Sequence, residues 1–185
     1  MPVLDQDFFA RPALKVAKDL IGKHLVRRIG TEEIAAVISE TEAYIGPHDL
    51  ACHGSKGRTA RTEVMFGPPG CWYVYLIYGI HWMLNVVTDD IGHPAAVLVR
   101  GAGSWDGPAK LTKELAIDKS FNALPAVRKT GLWIEDRGFK VPRGRIERTP
   151  RIGVDYAGDW AAKPYRFVLS GQVTAHRRLP TGSRK

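Results

Sequence analysis

The sequence predicts one globular domain of mixed helix and strand, with short strands outnumbering helices, and three observations predict it. A run of helical period near the start gives way to successive apolar and β-branched runs, Gly and Pro punctuate those runs at turn positions, and the 185 residues are 44% hydrophobic and 25% charged. That length supports one domain with a real core and is too short for two ordinary ones. The composition excludes intrinsic disorder and fibrous repeats. No apolar stretch reaches the roughly 20 residues that span a bilayer, and the opening MPVLDQDFFARPALKV lacks an apolar block followed by a small-residue cleavage site. The expectation is a cytoplasmic protein with no membrane partner.

Taken in order, ALKVAKDLIGKHL after Pro12 places Leu14, Ala17, Leu20 and Ile21 on one helix face, with Gly22 as its stop. HLVRRIG and EIAAVISETEAYIG then read as paired strands, the second carrying Glu40 and Glu42 on one face. PHDLACHGSKGRTART loses periodicity and becomes a surface loop that offers Lys56, Arg58 and Arg61 to phosphates. After Pro68, Pro69 and Gly70 comes the strongest strand signal, CWYVYLIYGIHWMLNVV. Alternation turns Tyr73, Tyr75 and Ile77 one way and Trp72, Val74, Leu76 and Tyr78 the other, and Gly79 permits a tight turn that leaves Tyr78 near a hairpin tip. AAVLVRG is a further strand ending at Arg100, and Pro108 opens a second helix whose first turn, with Lys110, could receive a phosphate. LWIED, RIERTPRIGV and YRFVLSGQVT read as short late strands, and the tail frays from about Leu179.

Twenty-seven Lys and Arg against 19 Asp and Glu give a net charge of +8, which favours a polyanionic partner, nucleic acid first. Cys52 and Cys71 are too few for a disulfide framework and show no CxxC spacing, so both read as reduced thiols. A metal centre finds no HExxH, paired CxxC or zinc-deaminase pattern, and neither a GxSxG elbow nor a Walker lysine loop is present. Two patterns remain. Glu40 and Glu42 stand about 6–7 Å apart by strand rise, near the separation that glycoside hydrolases use, although an exposed polar edge reads the same way. Tyr44, Tyr73, Tyr75 and Tyr78 lie among basic loops, and aromatic faces are what an unstacked base requires.

Together SETEAYIGPHDLACH, GRTART, MFGPPGCWYVYLIYGIHWMLNVV, AAVLVRG, GPAKLTKELAIDKSFN and RIGVDYAGDWAAKPYRF resemble the alkyladenine (3-methyladenine) DNA glycosylase family over nearly the whole chain. The resemblance implies a single compact domain of mixed α/β (α+β) fold around a curved antiparallel β-sheet, with a β-hairpin that intercalates into DNA. It implies a monofunctional DNA-repair hydrolase that flips alkylated or deaminated purines out of duplex DNA and cuts the N-glycosidic bond, leaving an abasic site. Under it Glu42 is the general base that activates water and Arg100 its basic partner. Tyr44, His53 and Tyr75 form the base pocket, and Asn85 excludes guanine. Tyr78 fills the gap in the stack, with Ile80 beside it where vertebrate members carry Met. The partner is double-stranded DNA containing damaged purines, with no cofactor, no metal and no obligate protein partner. Two other readings are a noncatalytic module that binds damaged DNA and a small carbohydrate hydrolase using Glu40 with Glu42.

Overall fold

The structure, a computed structural model, describes residues 1–171 and the strand at 177–180. A short helix α1 (Gln6–Phe9), which periodicity did not announce, is capped by Asp5, whose carboxylate accepts the Phe8 N–H at 3.0 Å. Helix α2 (Ala13–Leu20) follows Pro12 and buries Ala13, Val16, Ala17 and Leu20. These residues at i, i+3, i+4 and i+7 are the inner stripe. Leu14, expected on that stripe, sits at its edge and is only partly covered. The strands are β1 (His24–Ile29), β2 (Glu32–Tyr44), β3 (Trp72–Ile77), β4 (His81–Thr88), β5 (Ala95–Ala102) and β6 (Trp105–Asp106). Helix α3 (Pro108–Glu114) separates these from β7 (Leu132–Glu135), β8 (Ile146–Thr149), β9 (Arg166–Leu169) and β10 (Arg177–Pro180). The expected fray from Leu179 begins too early, since Leu179 and Pro180 pair with Glu33 and Glu32; the rest of that tail lies outside the described residues.

The described strands form one curved, antiparallel sheet in the order β3-β4-β5-β2-β1-β7, with β9 and β10 also pairing β2. The fold is α+β, as the resemblance implied. The 13-residue β2 is the seam, pairing β1 through its first half and β5 through its second. Register shifts fall between Ile38 and Glu40 and between Glu40 and Thr41. They reverse the alternation: Ile34, Ala36 and Ile38 face the main core, but beyond the irregularity Ala43 does. Thr41 points the same way, its hydroxyl donating to Ala17 O of α2 at 2.8 Å. Glu40, Glu42 and Tyr44 therefore face away from the core that an unbroken alternation would have given them. Beside the irregularity, a Cβ on Gly101 would lie 3.2 Å from Ser39 Oγ.

From β3 to β5 the sheet has two occupied faces. Trp72, Val74, Leu84, Val86, Val97 and Val99 pack into the main core, where α3 adds Leu111 and the residue that caps its C-terminus, Leu115. Tyr73, Val87 and Ala96 face the other way, packing with Cys52 and Met65 from the connection between β2 and β3. That connection, expected as a surface loop, buries Asp49, Ala51 and Cys52 and carries a 3-10 turn at His53–Lys56. The turn is pinned by close approach. A Cβ on Gly54 would lie 2.5 Å from Pro94 Cβ and 2.8 Å from Pro94 O, distances at which backbone must move. Gly54→Ala should lower stability by about 1–3 kcal/mol through this overpacking. Thermal or urea unfolding checks it, and an unchanged midpoint would contradict the packing described.

Candidate active site

Residue 42 is a carboxylate with no exposed surface. An ion so placed must be held by charge and hydrogen bonds, and three donors do so. Glu42 Oε1 accepts the Ile152 N–H at 2.9 Å and lies 3.4 Å from Arg100 Nη1, while Oε2 accepts the Tyr44 hydroxyl at 2.9 Å. Burial pushes the Glu42 pKa above the ordinary 4.5, against the pull of Arg100, Ile152 and Tyr44. Burial and the neighbouring Glu42 hold Tyr44 well above the ordinary tyrosine value, so it remains a donor at neutral pH. Arg100 is itself aimed. Its Nε donates to Glu40 Oε1 at 3.0 Å, and Glu40 also accepts from Arg166. Glu40 thus serves a guanidinium, which disfavours a paired-carboxylate hydrolase.

The three residues that hold this carboxylate, Tyr44, Arg100 and Ile152, line a cleft of about 580 Å³, bounded also by His53, Tyr75 and Asn85 among others. The side chains expected to form a base pocket therefore share one space. His53 meets Tyr75 edge-on, with ring centroids 4.7 Å apart, and its Nδ1 lies 2.9 Å from the Tyr73 hydroxyl. Burial, then Arg61 and Lys56, lower the His53 pKa to about 4, so its ring is neutral at pH 7. Burial lifts the Cys52 thiol to about 11; it stays protonated. Asn85 is buried and donates to Tyr73 O at 3.1 Å. Tyr73, set on the Tyr75 face by alternation and grouped with the tyrosines suited to an unstacked base, also lines the cleft, although the resemblance gave it no role.

Two buried residues that motif reading passed over fix the back of the cleft. Arg151 and Asp49 are fully buried and bidentate, with Nη2 donating to Oδ1 at 2.8 Å and Nη1 bonded to Oδ2. Arg151 also donates to Ala43 O at 2.9 Å, and its guanidinium lies 4.9 Å from the Tyr44 ring centroid. Asp49 accepts the Ile45 N–H. The pair ties the end of β2 to the segment whose Ile152 amide holds Glu42. The partners are 102 residues apart in sequence, and no local pattern links them.

The β3–β4 hairpin stands beside this cleft. Tyr78 and Gly79 have φ of +53° and +73°, and the Ile80 N–H donates to Ile77 O at 3.2 Å, a two-residue turn with both central residues left-handed. Leaving the strand at this point takes Tyr78 off the face that alternation assigned to it, and it lines the cleft mouth. Tyr78 is 86% and Ile80 70% exposed. Among the proposed phosphate contacts, Lys56 and Arg61 border the cleft. Arg58 is exposed but pairs with Glu63 at 2.7 Å. Lys110 sits apart on α3, which packs against the opposite face of the sheet, and pairs with Asp106 at 2.7 Å.

Comparison with known proteins gives the class first. The model of the family described as methylpurine-DNA glycosylase (MPG) matches residues 7–106 and 102–173, so the molecule is a DNA glycosylase, a hydrolase of the N-glycosidic bond. Similar proteins extend the match along the chain. One from Myxococcus xanthus is 47% identical over 191 residues, covering 98% of this chain and 97% of the relative. One from Methanocella arvoryzae is 44% identical over 200 residues, covering 97% and 98%. A third, from Anaeromyxobacter sp. strain Fw109-5, is 45% identical over 181 residues, covering 94% and 92%. All three bear the name "Putative 3-methyladenine DNA glycosylase". The chain belongs to the methylpurine-DNA glycosylase family. Among its described residues no helix is long and apolar enough to cross a membrane.

The clamp behind the site yields a stability prediction. Asp49→Ala leaves the Arg151 charge buried and unpaired, and should cost about 3–5 kcal/mol. Urea unfolding measures it; a loss below about 1 kcal/mol, the ordinary worth of an exposed pair, would show that the pair is not sealed.

Proposed function

We propose that this glycosylase excises alkylated or deaminated purines from duplex DNA by turning the damaged nucleotide into the aromatic cleft and attacking its C1′ with a water activated by Glu42. The observation that carries the reading is the placement of Glu42: a sealed carboxylate held by Tyr44, Arg100 and Ile152, all three of which line an aromatic cleft beside an exposed hairpin tip. A stacked base cannot be reached by a hydrolase, so extrusion must precede cleavage, and its cost falls on the pocket and on whatever fills the gap. Tyr44, His53 and Tyr75 supply the aromatic surface, with Asn85 against its floor. Tyr78, flanked by Ile80, is the side chain available to enter the vacated stack.

An ionised carboxylate offers roughly four acceptor sites, and the three donors on Glu42 leave one for the attacking water. As the bond to the base lengthens, positive charge grows on the deoxyribose, and a nearby anion stabilises it while accepting the proton of the water. The water oxygen bonds to C1′, the electron pair of the broken bond leaves with the base, and the product is an abasic site with an intact strand. Cationic alkylpurines leave readily as neutral bases. Deaminated purines need a proton from solvent. No lysine is assigned an attacking role in this reaction, so borohydride should trap no covalent adduct with DNA.

Base release from duplexes carrying one hypoxanthine or one ethenoadenine, and from methylated DNA, tests the reading. The wild type should release base, and Glu42→Gln should retain lesion binding while losing release by about 100-fold or more, the scale of general-base catalysis. Binding without release by the wild type would leave a damage-binding module. The pH dependence has a definite sign. Glu42 acts as the anion and its pKa is raised, so single-turnover release should fall with decreasing pH at a midpoint above 4.5, and Arg100→Gln should move that midpoint higher by removing a favourable charge. A midpoint at or below the ordinary value would remove Glu42 from the role.

The hairpin gives a second, opposed pair of outcomes. A non-glycine residue held at positive φ costs about 1–2 kcal/mol, so Tyr78→Gly should leave the fold as stable as the wild type or up to about 1 kcal/mol more so. It should nevertheless lose lesion excision, because nothing fills the gap. Unfolding midpoints and release rates together check this; unchanged excision would dismiss Tyr78 as the wedge.

A further inference from the structure

A face of the cleft residue Tyr75 is already engaged by a cation. The Arg61 guanidinium carbon lies over the Tyr75 ring, 4.9 Å from its centroid, and its charge opposes the burial that raises the pKa of Tyr73, the ring beside it. Both tyrosines and Arg61 line the cleft, and Lys56 stands on the same rim. Arg58, three residues away, differs in kind: it pairs with Glu63 and stacks on Phe66, its guanidinium carbon 4.4 Å from that ring centroid. Electron-rich rings alone would draw a cationic purine more strongly than a neutral one. With a guanidinium on the ring, that preference is opposed, because a methylated purine cation must approach a like charge or displace it. A neutral purine brings a carbonyl or ring-nitrogen acceptor that the guanidinium can bond.

Resting on the base-pocket reading above, we propose that Arg61 is a specificity-determining residue whose guanidinium over Tyr75 biases the cleft against cationic alkylpurines and towards neutral damaged purines. The neutral His53 ring fits the same picture, since Arg61 and Lys56 add to burial in keeping a positive charge off it. A phosphate contact by Arg61 would affect every lesion alike; the proposal concerns the ratio between lesions.

The test measures equilibrium binding of the full chain carrying Glu42→Gln, so that bases stay in place, to three duplexes of one sequence: unmodified, with one 7-methylguanine, and with one hypoxanthine. Adding Arg61→Gln should shift the affinity ratio towards 7-methylguanine by about tenfold, the size of one pKa unit of charge preference. Arg61→Lys should keep most of the original ratio, and Arg58→Gln should weaken all three duplexes without changing it. A ratio that moves less than about twofold with Arg61→Gln, or that moves as far with Arg58→Gln, overturns the proposal while leaving the base pocket intact. Equal binding of all three duplexes by the Glu42→Gln protein would instead reject the base pocket itself, and the Arg61 assignment with it.

Discussion

Keeping Glu42 ionised with no surface of its own is the constraint on which the site depends. Removing a carboxylate from water costs several kcal/mol even after the surroundings relax, so each donor around it has to be fixed before the anion is tolerable. Arg100 is fixed by Glu40, which Arg166 holds in turn. The Ile152 amide is fixed by its neighbour Arg151, bonded to Asp49, Ala43 O and Trp160 O. Tyr44 is fixed by lying against the Arg151 guanidinium. Two ion-pair systems, one on the sheet and one between loops, therefore converge on a single side chain. Neither is a surface ornament, since both are largely or wholly buried.

The protonation states around that anion follow from the same burial. Tyr73 rises to about 12, Tyr75 moves in the same direction, and His53 falls to about 4, all chiefly through loss of water. At neutral pH the cleft holds neutral rings and a rim of cations, with the carboxylate of Glu42 held by three of its lining residues. Under the proposed reaction, the lesion's own chemistry or solvent supplies the proton that a leaving base takes. The cleft also separates two uses of positive charge. Arg100 pairs with the carboxylate itself, whereas Arg61 and Lys56 stand on the rim of the cleft.

Much of this architecture is legible in the sequence because it is local. The β1–β2 hairpin, the Tyr73/Tyr75 face and the Pro108 helix start all follow from period and turn chemistry. The family resemblance added the roles of Glu42, Tyr78 and Asn85, which spacing alone left among several readings. The missing parts are those made at a distance. No period reveals that Asp49 meets Arg151, and Arg61, read as a loop cation free for phosphate, turns out to lie on an aromatic ring. The irregularity near Glu40 was equally hidden. Strict alternation would have sent Ile38 and Glu42 to one face, and only the register shifts shared by β2 and β5 let a buried Ile and a buried carboxylate follow each other in a continuous strand.

That irregularity also explains how one sheet can carry both a core and a reactive site. From β3 to β5 one face is sealed by aliphatic packing and α3, while the other is bounded by rings and polar groups that need their partners more than they need each other's contact. Changes on the first face act on stability through cavities. On the second, Arg151 and Asp49 cannot change singly, because each leaves the other's buried charge stranded. The hairpin completes the division, since its tip is largely exposed and holds a tyrosine at positive φ that folding alone does not favour. Under the proposed reaction, a strained, exposed aromatic and a sealed carboxylate with one acceptor site left are opposite solutions to one demand: the tip must be free to enter a duplex, and the base it displaces must meet an anion that does not move.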